Sequence, residues 1–149
     1  MKTSNATKIM GVVYPLPEYL IERFLNGQKD VFIKYLAHPR GTRLSPGHKL
    51  FFYVSGGEKL LLGEVVIAAV KFLKPDQIIA TYGERLFLSK DEFEKYSSSQ
   101  PRKDCEKDLL VLEIKRAKRY KSPIKFPKPL TMTGRYITRE MYDSLKIDT

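Results

Sequence analysis

Residues 48–73, HKLFFYVSGGEKLLLGEVVIAAVKFL, hold two β-rich runs joined by a short glycine-rich turn, and this hairpin limits the possible folds more than any other stretch. HKLFFYVS and LLLGEVVIAAVKFL are dominated by β-branched, aromatic and other large apolar residues, and GGEK between them has the composition of a hairpin turn. Long strands joined so tightly pair antiparallel. A doubly wound parallel sheet, which alternates strand and helix throughout, is excluded. Gly63, inside the second run, marks a bulge or a close backbone approach.

The remaining segments agree with that reading. A first strand is predicted over Lys8 to Tyr14, ended by Pro15 and Pro17. PEYLIERFLNG predicts an amphipathic helix opened by Pro17 and stopped by Gly27. VFIKYLA predicts a second strand, with Val31, Ile33 and Tyr35 on one face and Phe32, Lys34 and Leu36 on the other. HPRGTRLSPG is a loop rich in Pro and Gly. PDQIIATYG reads as a short helix stopped by Gly83, and SKDEFEKY as another with the Ser89–Glu92 spacing of a capping box. DLLVLEIKRAKRY is a fifth strand, apolar first and basic later, and GRYITREMYDSL supplies a short strand and a helix from about Thr138. The fold class is α+β: a small, mostly antiparallel β pseudo-barrel of about five to six strands with short flanking helices.

Composition narrows the chemistry. A chain of 149 residues predicts a single domain over 1–149, enough to bury roughly 68–70% of its unfolded surface. One cysteine, Cys105, excludes an internal disulfide, and with only His38 and His48 beside it no metal site is expected. No apolar run approaches the ~20 residues of a membrane span, so a cytoplasmic location without membrane contact is expected. No glycine-rich phosphate loop or nucleophile elbow occurs, so no catalytic residue and no cofactor is assigned. The net charge of +10 favours a polyanionic partner, RNA or a nucleotide.

A family resemblance rests on NGQK, VFIKY, LSPGHKLFFYVS and LLLGEVVIAAV in that order. This succession resembles the PUA-like superfamily of pseudo-barrels, which includes PUA, ASCH and EVE domains, and its nearest relatives look like uncharacterised archaeal proteins of this length. The ASCH pattern G-x-K-x-x-E-x-R falls on Gly27, Lys29, Phe32 and Lys34; the glycine and first lysine match, while phenylalanine and lysine replace the glutamate and arginine. The resemblance implies a cleft that binds RNA, nucleotides or modified bases. The missing carboxylate puts the amidohydrolase activity of some ASCH proteins in doubt more than it does binding.

Candidate binding residues fall in four places. Lys29 and Lys34 flank the corner between helix and second strand, where an ammonium beside Phe32 or Tyr35 would suit a phosphate and a stacked base together. The simpler readings are a lysine near a helix C-terminus and a lysine reaching past an apolar face to solvent. Arg40 and Arg43 lie in a segment, Val31 to Gly57, without any acidic residue. Lys115 to Lys128 carries seven basic residues and no acidic one, with Tyr120 and Phe126 interleaved; Lys115, Arg116, Lys118, Arg119 and Tyr120 are the nucleic-acid candidates there. Alternation makes both faces polar at that strand's end, which predicts that it projects into water. Arg135 and Tyr136, in TMTGRY, are available for phosphate and base contacts.

Two functions follow. The first is an RNA-binding PUA-like module without catalysis, using a basic cleft. The alternative is an ASCH-like nucleoside, nucleotide or modified-base pocket with amidohydrolase chemistry, for which Lys29 and Glu64 are the acid–base pair the residues offer.

Overall fold

The computed structural model describes residues 8–36, 42–56, 59–99, 108–128, 130–131 and 133–147. In chain order these form β1 (Ile9–Leu16), α1 (Glu18–Leu25), β2 (Val31–Lys34), β3 (Lys49–Val54), β4 (Leu60–Leu73), α2 (Pro75–Tyr82), a 3-10 turn (Gly83–Arg85), α3 (Lys90–Ser98), β5 (Leu109–Lys125), β6 (Arg135–Thr138) and α4 (Arg139–Ser144). Arg40, His38 and Cys105 lie outside the described residues.

The six strands make one mixed sheet in the order β2-β5-β4-β3-β1-β6. β3 and β4 pair antiparallel, as their turn demands, and so do β4 with β5, β5 with β2 and β1 with β6. β1 and β3 run parallel, Gly11 opposite Lys49 through Leu16 opposite Val54. The sheet order is linear and its hydrogen bonds do not close a barrel.

Alternation along the central strands sorts side chains into two cores. Val12 and Tyr14 of β1 with Leu50 and Phe52 of β3 enter the main core, beside Leu20, Phe24 and Phe32. Val13, Phe51 and Tyr53 enter a second core with Leu61, Tyr120, Phe126, Ile137 and Leu145. β3 is apolar on both faces for this reason, and its four middle residues are all buried.

β5 departs from its expected length and surroundings. It continues past Tyr120 and through Pro123 to Lys125. Gly63 pairs with Arg119 and Leu61 with Ile124, so residues 120–123 of β5 stand opposite Leu62 alone. Within that outward bulge Pro123 owes the ladder no N–H. Tyr120 does not end in water. It is 5% exposed, in the second core with Phe126 and beneath Met141 and Tyr142 of α4.

Gly63 is both things the sequence allowed. The register shifts beside it, and a Cβ there would fall 2.4 Å from the Lys118 carbonyl oxygen and 2.8 Å from a Leu25 methyl. Gly63→Ala should therefore cost about 1–3 kcal/mol in urea unfolding, by overpacking against backbone that cannot yield. An unchanged midpoint would show that α1 and β5 do not close on this residue.

Candidate functional site

The corner after α1 is fastened locally. The Asn26 N–H bonds to the Glu22 carbonyl and the Lys29 N–H to that of Arg23, at 3.0 Å each, so the chain turns sharply before β2. Lys29 Nζ donates to the Glu84 carbonyl at 2.5 Å, and Asp30 pairs with Arg85 at 3.0 Å. Lys29 thus ties β2's approach to the 3-10 turn and does not line the cleft that Lys34 occupies.

That cleft, of about 300 Å³, lies between the end of β1, the start of α1, β2 and α3. Its walls are mainly apolar and aromatic, with Tyr14, Tyr19, Phe32, Phe87 and Tyr96 supplying rings. Lys34 is half-buried in it, 5.0 Å from the centroid of the Tyr14 ring. Among the described residues no carboxylate pairs with it, and burial lowers its pKa below that of an ordinary lysine.

Tyr14 is the centre of the arrangement. It stacks on Phe32 with centroids 5.5 Å apart and planes inclined by 16°. A Cβ on Gly134 would fall 2.4 Å from its ring, so the turn before β6 presses directly on it. Burial first, then the Tyr136 and Tyr96 phenols, raise its pKa well above the usual tyrosine value.

The opposite wall holds Glu92, whose carboxylate is already committed. Arg23 meets it at 2.6 and 3.1 Å, and the Ser89 N–H donates to it at 2.7 Å, the capping box expected from the Ser89–Glu92 spacing. Arg23 also donates to the Phe87 carbonyl at 2.8 Å. The Arg23 hydrogen bond leads the effects that bring Glu92 down to about 2. Its contribution to stability is complete above about pH 4.5 and is lost as pH falls through about 2. Glu92→Gln keeps an acceptor for Ser89 and removes the charge. It should flatten the fall in melting temperature between those pH values, and an acid limb as steep as the parent's would count against the pairing.

The sequence candidates do not gather around one hollow. Phe32 and Lys34 line the cleft. Tyr35 turns away: its ring lies 5.3 Å from that of Tyr96, its N–H donates to the Tyr96 hydroxyl at 2.9 Å, and its own hydroxyl donates to Ser97 at 3.2 Å. Arg43 is exposed beside β6, its guanidinium 5.7 Å from the Tyr136 ring and its N–H bonded to the Tyr136 hydroxyl. Tyr136 itself stands opposite Val12 on β1, and neither it nor Arg43 lines the cleft. Arg135 is exposed on β6, Lys115 and Arg116 on β5, and Lys118 is half-buried. Arg119 is paired with Glu22, and Tyr120 donates from within the second core to Glu64 at 2.9 Å, so its ring is not presented for base stacking.

Glu64 corrects the acid–base expectation. It is 3% exposed, and Lys49 Nζ lies 2.6 Å from it. Its neighbours Tyr120 and Tyr142 belong to the second core, whereas Lys29 and Lys34 are elsewhere, so the Lys29–Glu64 pair does not exist. Among the described residues no group of three or more His, Cys, Asp or Glu side chains converges as metal ligands would, and no helix is long and apolar enough to cross a membrane.

Sequence reasoning missed Tyr14, Tyr19, Tyr96 and Lys95, which complete the cleft. Tyr14 and Tyr19 flank Pro15 and Pro17, and two aromatics beside that pair of prolines were the available signal. β1 nonetheless runs on through Pro15 to Leu16 rather than ending at Tyr14. Tyr96 gave none beyond a place on a short helix.

This mixed sheet with short helices at its margins is the fold of ASCH, PUA-like proteins. ASCH from Zymomonas mobilis superposes with a TM-score of 0.76 at 13% identity, over 92% of this chain and 94% of that one. The N-terminal domain of Staphylothermus marinus McrB superposes with a TM-score of 0.53 at 18% identity, over 93% of this chain and 96% of that one. An uncharacterised archaeal protein of Methanocaldococcus jannaschii is 28% identical over 103 residues, 65% of this chain and 95% of the relative. The sequence model of a domain of unknown function, DUF365, matches residues 9–139, and the chain belongs to that family.

Proposed function

We propose that the protein is an RNA-binding module whose cleft receives one base and its phosphate. The observation that carries this is Lys34, a cation drawn out of water into an aromatic cleft and given, among the described residues, only a tyrosine ring in return. Burying an ammonium without a carboxylate is unfavourable, and an incoming phosphate supplies the missing partner. The Tyr and Phe rings offer faces for a base, and a hollow of about 300 Å³ matches a single nucleoside rather than a folded partner. The net charge of +10, the exposed cations of β5, and Arg43 beside Tyr136 would hold the strand leading to the cleft. The ASCH-like fold supports the same class of ligand.

Binding of a labelled single-stranded RNA should weaken steeply with salt, its log–log slope growing by about −0.7 for each phosphate held. No RNA retention between low and moderate salt would end this reading. Thermal shifts with free nucleosides and nucleotides separate it from a small-molecule pocket. Stabilisation by a nucleoside without any polymer binding would favour the latter.

A further inference from the structure

The end of the β4–β5 pair at Leu60 and Lys125 carries a second hollow, of about 380 Å³, lined by Lys59, Lys125, Phe126, Pro127 and Lys128. We propose that it is a phosphate-binding site, separate from the cleft, that takes a backbone phosphate of a single-stranded polynucleotide.

The three lysines are exposed, and none makes an ion pair with a carboxylate among the described residues. The contrast with the rest of the molecule is informative. Glu22, Asp30, Glu64, Glu92, Asp108, Glu113 and Asp143 are all paired with cations elsewhere. Among the described residues, positive charge at this strand end has no carboxylate partner, while acids neutralise cations elsewhere.

The backbone is shaped to hold these groups together. The Phe126 N–H donates to the Lys59 carbonyl at 2.9 Å, and Leu60 pairs with Lys125, which fixes the strand ends from which the three lysines line one hollow. Lys59 sits at φ 65, a left-handed conformation that a lysine adopts at a cost. The same holds at Arg116, φ 54, where residues 116 and 117 stand opposite Val65 in a second bulge of β5. Lys146, φ 51, is the third such position, and all three carry a long cation.

Phe126, 2% exposed, anchors the floor in the second core, so the hollow rests on a rigid base. Lysine ammoniums serve phosphate as mobile point charges, and Pro127 offers an apolar edge to a sugar or base. The hollow shares no lining residue with the cleft, whose Tyr14 and Phe32 belong to the main core. One strand could occupy both, but the second site does not depend on the first.

The test uses the full chain, a fluorescein-labelled oligouridylate of about 12 nucleotides, and uridine monophosphate. The triple variant Lys59→Glu, Lys125→Glu, Lys128→Glu should bind the oligonucleotide about tenfold more weakly at low salt. Its salt slope should shrink by about 0.7 for each phosphate that is no longer held, while any binding of uridine monophosphate at the cleft is unchanged. The corresponding Lys→Gln variant, with the parent's melting temperature, should show the smaller slope without the added repulsion. Parental affinity and slope in both variants would overturn the proposal. So would variants that lose binding to vesicles of equal parts phosphatidylserine and phosphatidylcholine yet hold the oligonucleotide as before. Silence from uridine monophosphate with a reduced oligonucleotide slope would remove the cleft reading and keep this one.

Discussion

Replacing Lys49 with Met should destabilise the protein by about 3–5 kcal/mol in urea unfolding, because it orphans a buried carboxylate. Glu64 is the buried charged residue of the described chain, and its two oxygens are taken by Lys49 at 2.6 Å and the Tyr120 hydroxyl at 2.9 Å. Lys49 also donates to the Tyr142 hydroxyl at 3.0 Å and stands 4.9 Å from that ring, so one ammonium links β3, β4 and α4. Burial pulls the Lys49 pKa down, but its bonds to Glu64 and Tyr142 more than offset that, and the net shift is upward. A raised lysine contributes stability that is complete below its unfolded pKa of 10.5 and is lost as pH climbs through the higher folded value. In Lys49→Met the carboxylate keeps one hydrogen bond and no counter-charge. The double variant Lys49→Met, Glu64→Leu should recover most of the loss, because the cost lies in the orphaned charge rather than in a missing attraction. A single variant less than about 1 kcal/mol below the parent would refute this account, and so would a double variant no more stable than the single.

Lys34→Met should act in the opposite sense on stability and strongly on binding. The side chain keeps its length and apolar stem but no longer carries an ammonium into the cleft, so unfolding should become harder by about 1–2 kcal/mol at neutral pH. Because burial lowers the Lys34 pKa, the native state holds that proton less tightly than the unfolded chain. The penalty is present below the lowered value and disappears as pH rises toward 10.5, so the advantage of methionine should shrink over that range. Affinity for single-stranded RNA should fall about 10- to 100-fold, the worth of one charged hydrogen bond to a phosphate. Melting temperature and binding measured on one preparation decide the matter. A destabilised Lys34→Met would mean that the ammonium has an internal partner, and undiminished RNA affinity would mean that it faces no phosphate.

Local chemistry is legible where one short stretch holds the whole cause. The bounds of β4, Leu60–Leu73, coincide with the apolar run LLLGEVVIAAVKFL. Ser89 and Glu92 form the reciprocal cap their spacing announces, at 2.7 and 3.2 Å. Thr138 begins the last helix by accepting from the Met141 N–H. β5 is longer than its sequence suggests because Pro123 looks like a stop, and only the bulge opposite Leu62 lets the strand pass through it. The basic residues of that strand are visible in the sequence, but Arg119 and Tyr120 depend on Glu22 and Glu64, which are remote in the chain.

The order of residues by itself determined which segments are strands, where helices start and stop, and that the sheet would be mostly antiparallel, because side-chain alternation, caps and tight turns act over a few neighbouring positions. Tertiary structure alone decided that β1 lies parallel to β3, that Tyr120 is covered by α4, and that Lys34 shares a hollow with Tyr14 and Tyr96 while Lys29 does not. Those outcomes turn on which distant surfaces meet and exclude water. A charge's worth is set by its surroundings, and the chain assembles those surroundings only when it folds.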